Sequence, residues 1–303
     1  MLYAASAAVL FGLNASTTKV IIQSGVTPEQ AVLIRSMTAG VIALIWALTS
    51  NRSELRVEKR IIPRLLLLGI VGVGTLQWAY SQAVVLLPVG IALLIEYTAV
   101  LWVPIIALVI FKEQVKKQIW FGAALVLGGL AVVAQIWDSQ LNPLGIVYAL
   151  AAAASLTTHL IVGERIQRHL PTNVTMAYGM GIATLLFLPF ARLNEFDYSS
   201  LGKGMDLSGN LAGISVPLWL MLLLLGVAGS FLPMAFTFLA LRHLTATLVG
   251  LVATSETILA ALFALLWLGE LISLTQALGG MVVIAGIVLA QTARRQKIVK
   301  VVD

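Results

Sequence analysis

The sequence predicts an all-α integral membrane protein, with ten transmembrane helices built as two inverted five-helix repeats. Three observations carry that expectation. Of 303 residues, 60% are apolar and only 11% charged, with a mean hydropathy of +1.00. Soluble domains carry about a quarter charged residues and need polar groups to dress their surface, so here lipid must cover it instead. Ten apolar runs approach the ~20 residues that a helix needs to cross the hydrocarbon core. Finally, the second half of the chain repeats the first at a fixed offset.

The ten runs are Leu2 to Ile22, Pro28 to Thr49, Leu65 to Leu87, Val89 to Phe111, Ile119 to Ile136, Leu144 to Gly163, Val174 to Ala191, Val216 to Leu241, Ala246 to Leu268 and Thr275 to Thr292. Spanning strands are excluded, because an open sheet edge leaves backbone groups unsatisfied in lipid. Turn residues punctuate the breaks: Ser24-Gly25 before Pro28, Leu87-Pro88, Asn142-Pro143 and Pro171-Thr172-Asn173. The third-to-fourth and eighth-to-ninth connections are short enough to predict tight antiparallel hairpins. The one long connection, about Arg192 to Ser215, is rich in Gly, Ser and Asp and predicts a mobile loop. The start, Met1-Leu2-Tyr3, lacks the basic region of a signal peptide, so Leu2 onward reads as the first membrane helix.

Cysteine is absent, which excludes disulfides, thiolate metal sites and cysteine nucleophiles. The net charge of +6 has a topological explanation rather than a nucleic-acid partner. With the N-terminus inside, alternate loops collect Arg52, Arg56, Lys59, Arg60 and Arg64, then Lys112, Lys116 and Lys117, then Arg165 and Arg168, then Arg242, and finally the tail residues Arg294, Arg295, Lys297 and Lys300. The opposite loops hold only Arg192 and Lys203. By the positive-inside rule both termini face the cytoplasm, and the protein is a multi-pass protein of an inner membrane.

The repeat is visible in spaced glycines. Gly69 and Gly226 lie 157 residues apart (226 − 69), and the same offset pairs Gly72 with Gly229, Glu113 with Glu270, Gly122 with Gly279 and Gly129 with Gly286. The repeats are residues 1–138 and 139–303. Each holds five helices, an odd number, so the second must lie inverted in the membrane. That is a transporter architecture, with the substrate site near the midplane between the halves.

Charge inside a membrane helix costs about 2.5–3.5 kcal/mol on insertion scales, so such residues are candidate functional groups. Glu96, beside Tyr97 and Thr98 in the fourth helix, and Glu256 in the ninth are the leading candidates. Under the offset Glu256 matches Ala99, one turn from Glu96, which brings both carboxylates toward a central cavity. They either bind a substrate amine or release a coupling proton; alternatively, they cap a broken helix or pair with Arg35 or Lys19. Arg35 either receives a carboxylate bidentately or forms a structural ion pair. Lys19, near the outer helix end, is expected to snorkel. Gln77, Trp78, Tyr80 and Ser81 make the third helix unusually polar, with Gln77, Tyr80 and Ser81 sharing one face. Asn14 in the first helix and Thr157 and His159 in the sixth either line the cavity or bond neighbouring helices. Glu113 and Glu270, at helix ends, read as structural. No metal-ligand cluster is expected, and no cofactor, although proton coupling stays open.

Several stretches resemble the drug/metabolite transporter superfamily in its EamA branch of ten-helix carriers. Phe11-Gly12-Leu13-Asn14 followed by Lys19 is similar to that branch's opening, and Arg35 stands about where the family has its arginine. Each half closes on an acidic residue followed by a Gln-and-Gly helix: Glu113 with Gln118 and Gly122, and Glu270 with Gln276 and Gly279-Gly280. The stretch from Pro88 to Thr98 looks like the fourth helix of threonine/homoserine-exporter-like members. The chain departs from those members in having Val100 and Thr257 where prolines are usual, so the family's helix kinks lack their prolines here.

Together these features predict a secondary transporter of small metabolites, an exporter of amino acids or related amphiphiles working by alternating access. Other readings are a drug- or nucleoside-type metabolite carrier of the same fold, a channel, and an intramembrane enzyme. Against an enzyme, no His-Glu-x-x-His occurs and no Gly-flanked serine has a base nearby. The implied partners are the bilayer and a small molecule, with a homodimer left open by the helix-packing glycines.

Overall fold

In the computed structural model, residues 1–138, 141–269, 271 and 273–292 are described. Glu270 and the basic residues Arg294, Arg295, Lys297 and Lys300 lie outside them. The described chain is almost wholly helical. Eight segments are long and apolar enough to cross a membrane: α1 Leu2–Gln23, α2 Pro28–Ser50, α3 Ile62–Leu86, α4 Val89–Val109, α5 Lys117–Ala134, α6 Pro143–Ile166, α8 Leu218–His243 and α9 Ala246–Leu268. Two shorter helices complete the order, α7 Thr172–Phe187 and α10 Leu274–Gln291. Large apolar side chains such as Val41, Ile45, Phe121, Leu185 and Leu266 stand exposed, as expected of faces solvated by lipid.

The helix ends follow from local sequence. Thr27 caps α2, with Gln30 closing the reciprocal capping box and Pro28 in the first turn. Ser273 and Gln276 do the same for α10. Asn142 caps α6 by accepting from the amides of Leu144 and Gly145. The short connections are as tight as their lengths predict: α3 and α4 are joined by Leu87-Pro88, and α8 and α9 by Leu244-Thr245, all extended.

One end of the bundle gathers the basic loops. Arg165 bonds Glu113 at 3.2 Å and lies over the Phe111 ring, while Arg60, Arg64 and His169 border one depression. In the same region Asn173 bonds Asn51 at 2.8 Å, and the Tyr178 phenol donates to the Leu55 carbonyl.

Helices α5 and α10 cross through glycine. A Cβ at Gly122 would meet the Gly286 carbonyl at 2.8 Å, and one at Gly129 the Gly279 carbonyl at 2.7 Å. The converse contacts hold, Gly279 to Gly129 and Gly286 to Gly122, each at 2.8 Å. Ascending α5 therefore descends α10, and each glycine touches the residue that lies 157 positions in sequence from the other glycine of its own helix. Only small residues let two helix backbones approach this closely.

Two corresponding helices also carry π-helical turns, in α3 at Leu68–Thr75 and in α8 at Val227–Phe231. At each, a glycine meets a helix of the other half. Gly69 faces Ile182 of α7 and Gly226 faces Thr38 of α2; Gly72 faces His159 of α6 and Gly229 faces Asn14 of α1.

The long connection before α8 corrects the expectation of a mobile loop. Strand β1, Gly204–Asp206, pairs antiparallel with β2, Ser215–Pro217. The hairpin is anchored on α9: the Trp267 indole donates to the Leu207 carbonyl at 2.8 Å, and the Asn210 amide donates to the Leu265 and Leu266 carbonyls. Its turn is organised by Asp206, whose carboxylate accepts from the Gly213 and Ser208 amides, each at 2.7 Å. Those two bonds hold the Asp206 carboxyl below the ordinary aspartate range. Since the folded value is the lower one, the contribution is present above the unfolded pKa and is lost as pH falls through the folded one. Hydrogen exchange, corrected for intrinsic rates, should show the Gly213 and Ser208 amides protected at neutral pH and released in strong acid. Asp206→Ala, which removes both acceptor oxygens, should release them already at neutral pH; equal protection in that variant would refute the role given to the carboxylate.

Candidate functional site

The polar residues of the helix interiors converge because α4 and α9 are broken. In α4 the regular helix ends at Glu96 and restarts at Ala99; in α9 it ends at Ala253 and restarts at Ser255. Thr254 follows Tyr97 by the repeat offset (254 − 97). Neither break needs a proline. The Thr98 hydroxyl donates to the Ile95 carbonyl, the Thr254 hydroxyl to that of Leu251 and the Ser255 hydroxyl to that of Val252, each at 2.7 Å. Side-chain hydroxyls thus add donors to carbonyls at each interruption, which helps a helix break inside a membrane.

The break places the two carboxylates differently. Glu256 sits in the first turn of its segment, where free amides favour negative charge, and accepts the Tyr97 phenol at 2.6 Å. Glu96 ends its segment, is 8% exposed, and has no hydrogen-bond partner at Oε2. Both border one cavity of about 90 Å³, room for several water-sized groups.

Arg35, Asn14, Gln77, Tyr80, Tyr97 and His159 border the same cavity. Arg35 donates from Nε to the Ser230 hydroxyl at 2.6 Å and from Nη2 to the Gly229 carbonyl at 2.7 Å. His159 donates from Nδ1 to the Gly72 carbonyl at 2.9 Å and lies against Phe238; in a neutral ring that bond leaves Nε2 as an acceptor. Gly72 and Gly229, 157 residues apart (229 − 72), lie in the π turns of α3 and α8, and each carbonyl is held by a side chain from the other half of the chain. Tyr80 also borders a separate cleft that runs past Lys19 toward the end opposite the basic loops. Gln77 is 5% exposed, and both of its amide atoms lack a partner.

Three expected residues lie elsewhere. Trp78 turns to α2, where its indole donates to Glu29 at 3.2 Å and packs edge-on against Tyr148. The Ser81 and Thr157 hydroxyls return to their own helices, at the carbonyls of Gln77 and Ala153. Residues the sequence reading passed over complete the wall, and the offset itself points to them. Met234, Thr237 and Ala253 stand 157 residues after Gln77, Tyr80 and Glu96 (234 − 77, 237 − 80 and 253 − 96), and all six border the cavity. Likewise Leu156 and His159 follow Phe11 and Asn14 by 145 (156 − 11 and 159 − 14).

Comparison with known proteins places the chain in a family. Residues 1–135 and 143–292 match the EamA-like transporter family. The chain belongs to that family. Curated relatives of this EamA protein include an uncharacterized transporter, YdfC, of Bacillus subtilis (strain 168), 26% identical over 272 residues that cover 87% of this chain and 81% of the relative. The threonine/homoserine exporter RhtA of Escherichia coli (strain K12) is 26% identical over 270 residues, covering 88% and 83%. Protein PecM of Dickeya dadantii (strain 3937) is 26% identical over 287 residues, covering 89% and 86%. A crystal structure superposes with a TM-score of 0.77 at 20% identity, covering 96% of both chains, which shows the shared fold. The protein is therefore a multi-pass membrane transporter rather than an enzyme.

Proposed function

We propose that this EamA transporter is a secondary carrier that exports amino acids or related amphiphiles by alternating access. The observation that carries the reading is the placement of Glu96, Glu256 and Arg35 around one cavity. An ammonium or a carboxylate leaves water at a cost of several kcal/mol unless it is paired. A zwitterion finds carboxylates for its ammonium there, and guanidinium N–H groups beyond the two already bonded for its carboxylate.

The architecture we infer is ten membrane-crossing helices in two inverted repeats, residues 1–138 and 139–303, with the N- and C-termini cytoplasmic in an inner membrane. In support, α5 and α10 cross antiparallel through reciprocal counterparts, the helix breaks and two of the three described π turns recur at the offset, and the family matches two successive stretches. A self-complementary contact of this kind belongs to a two-fold axis. Between antiparallel helices that axis lies in the membrane plane, the geometry of carriers with a midplane site. The relative RhtA, a threonine/homoserine exporter, agrees with an amino-acid substrate. Rocking the halves would open the cavity by way of the Tyr80 cleft at one end and toward the basic loops at the other. Either carboxylate is placed to couple transport to a proton.

The test is uptake of a panel of radiolabelled amino acids into proteoliposomes, with and without a pH gradient. Saturable flux is expected, at least about tenfold lower in Glu96→Gln, which keeps the shape and removes the charge. Flux that is insensitive to Glu96→Gln would take that carboxylate out of the site. No amino-acid flux under any gradient would overturn the substrate class.

A further inference from the structure

The two walls of the cavity are related by the repeat but differ in chemistry. Gln77 and its counterpart Met234 both line it, as do Glu96 and its counterpart Ala253. The first repeat thus presents hydrogen-bonding groups where the second presents apolar ones. Two of the former are unspent: both amide atoms of Gln77 and Oε2 of Glu96 have no protein partner, although the residues are only 5% and 8% exposed. A buried primary amide without partners is costly, and its counterpart shows that an unbranched apolar side chain of similar size suits the equivalent position.

We propose that Gln77 is the specificity-determining residue of the carrier, selecting substrates whose side chain bears a neutral group that both donates and accepts a hydrogen bond. A hydroxyl is the simplest such group. The inference rests on the amino-acid carrier reading above and deepens it. Glu96 serves the charged ammonium, since a carboxylate accepts only, whereas an amide offers an oxygen acceptor and N–H donors side by side. The substrate hydroxyl gives its proton to the Gln77 oxygen and accepts from the Gln77 nitrogen. Its aliphatic portion lies toward Met234 and Ala253. An isostere that carries a methyl in place of the hydroxyl leaves the amide unsatisfied in the closed cavity. A site built to bond a hydroxyl discriminates by that penalty far more than an apolar pocket can.

Threonine and valine make the test, because they differ by one hydroxyl for one methyl. Flux of each into proteoliposomes is measured on wild type, on Gln77→Met, which gives the first wall the residue of the second, and on Gln77→Asn. Wild type should favour threonine by at least about tenfold in kcat/KM, and Gln77→Met should bring the two within about threefold by losing threonine and gaining valine. Gln77→Asn keeps the amide one methylene further back, so it should retain the preference at a higher KM for threonine. A purely structural role would lower both fluxes together and leave their ratio unchanged, which overturns the proposal. Equal transport of the two by wild type overturns it as well, while leaving the carrier reading intact. Wild type that moves neither overturns both. If Gln77→Met is not recovered folded, the ratio in Gln77→Asn decides, and loss of the preference there with KM unchanged counts against the assignment.

Discussion

Gly129→Leu is expected to prevent recovery of the folded protein. A Cβ at that position would stand 2.7 Å from the Gly279 carbonyl oxygen and 2.8 Å from the Val283 amide nitrogen. Both are backbone atoms of α10, so no rotamer change relieves the clash, and only separation of the two helices does. Overpacking a tight core costs about 1–3 kcal/mol even when side chains can yield. Here the whole α5–α10 contact is lost as well, a large share of a total stability on the order of 5–15 kcal/mol. The neighbouring Gly128 supplies the control, since nothing lies within 4 Å of a Cβ placed there. Gly128→Leu should be recovered like wild type, as judged by monodisperse yield and thermal unfolding in detergent. Equal recovery of the two variants would show that the crossing does not hold the halves together. Because the contact is reciprocal, Gly286→Leu, aimed at the Gly122 carbonyl, should fail in the same way.

Arg35→Leu should be nearly as damaging. The guanidinium is 5% exposed and holds the Gly229 carbonyl and the Ser230 hydroxyl in the π turn of the opposite half. Hydrogen bonds to a charged group are worth about 1.5–3 kcal/mol each. Leucine leaves the released carbonyl without its donor and removes the cation from a cavity that holds two carboxylates. A loss of about 3 kcal/mol or more in unfolding free energy is expected. Arg35→Lys keeps the charge but has a single donor point, so it should recover part of the stability, and less of the flux if guanidinium geometry receives the substrate. An unfolding midpoint in Arg35→Leu that matches wild type would remove the residue from this structural role.

The helical frame was legible because lipid enforces it. Long apolar runs, with Thr27-Pro28, Asn142-Pro143 and Leu87-Pro88 between them, leave few ways to place a helix end. The glycine offset was legible too, since spaced small residues stand out in a leucine-rich chain. The breaks at Tyr97 and Thr254 were not, because the hydroxyls that permit them are common in membrane helices and no proline marks the spot. The π turns left no sequence signal beyond their glycines. On α3, the neighbours Gln77 and Trp78 differ by about a quarter-turn, and polarity alone could not say which of them faces the cavity and which faces Glu29. Met234 and Ala253 look like ordinary core; only the offset from Gln77 and Glu96 marks them as wall. The order of the β1–β2 connection came from contacts distant in sequence, Trp267 to Leu207 and Asn210 to the end of α9, beneath a composition typical of loose chain.

That connection also couples the outside of the molecule to its centre. The Trp219 amide donates to the Leu201 carbonyl and the Leu218 amide to that of Lys203, which ties the connection to the start of α8. Trp267 and Asn210 tie it to the far end of α9, the helix that carries Glu256. The hairpin is thus a strap across two of the rods that wall the cavity, and neither rod can tilt without dragging it. Gly202, exposed with open space where a side chain would stand, offers a point outside the bilayer from which a reporter dye can follow that motion. If the halves rock as proposed, an antibody fragment that closed over β1 and β2 would restrain both rods without entering the membrane.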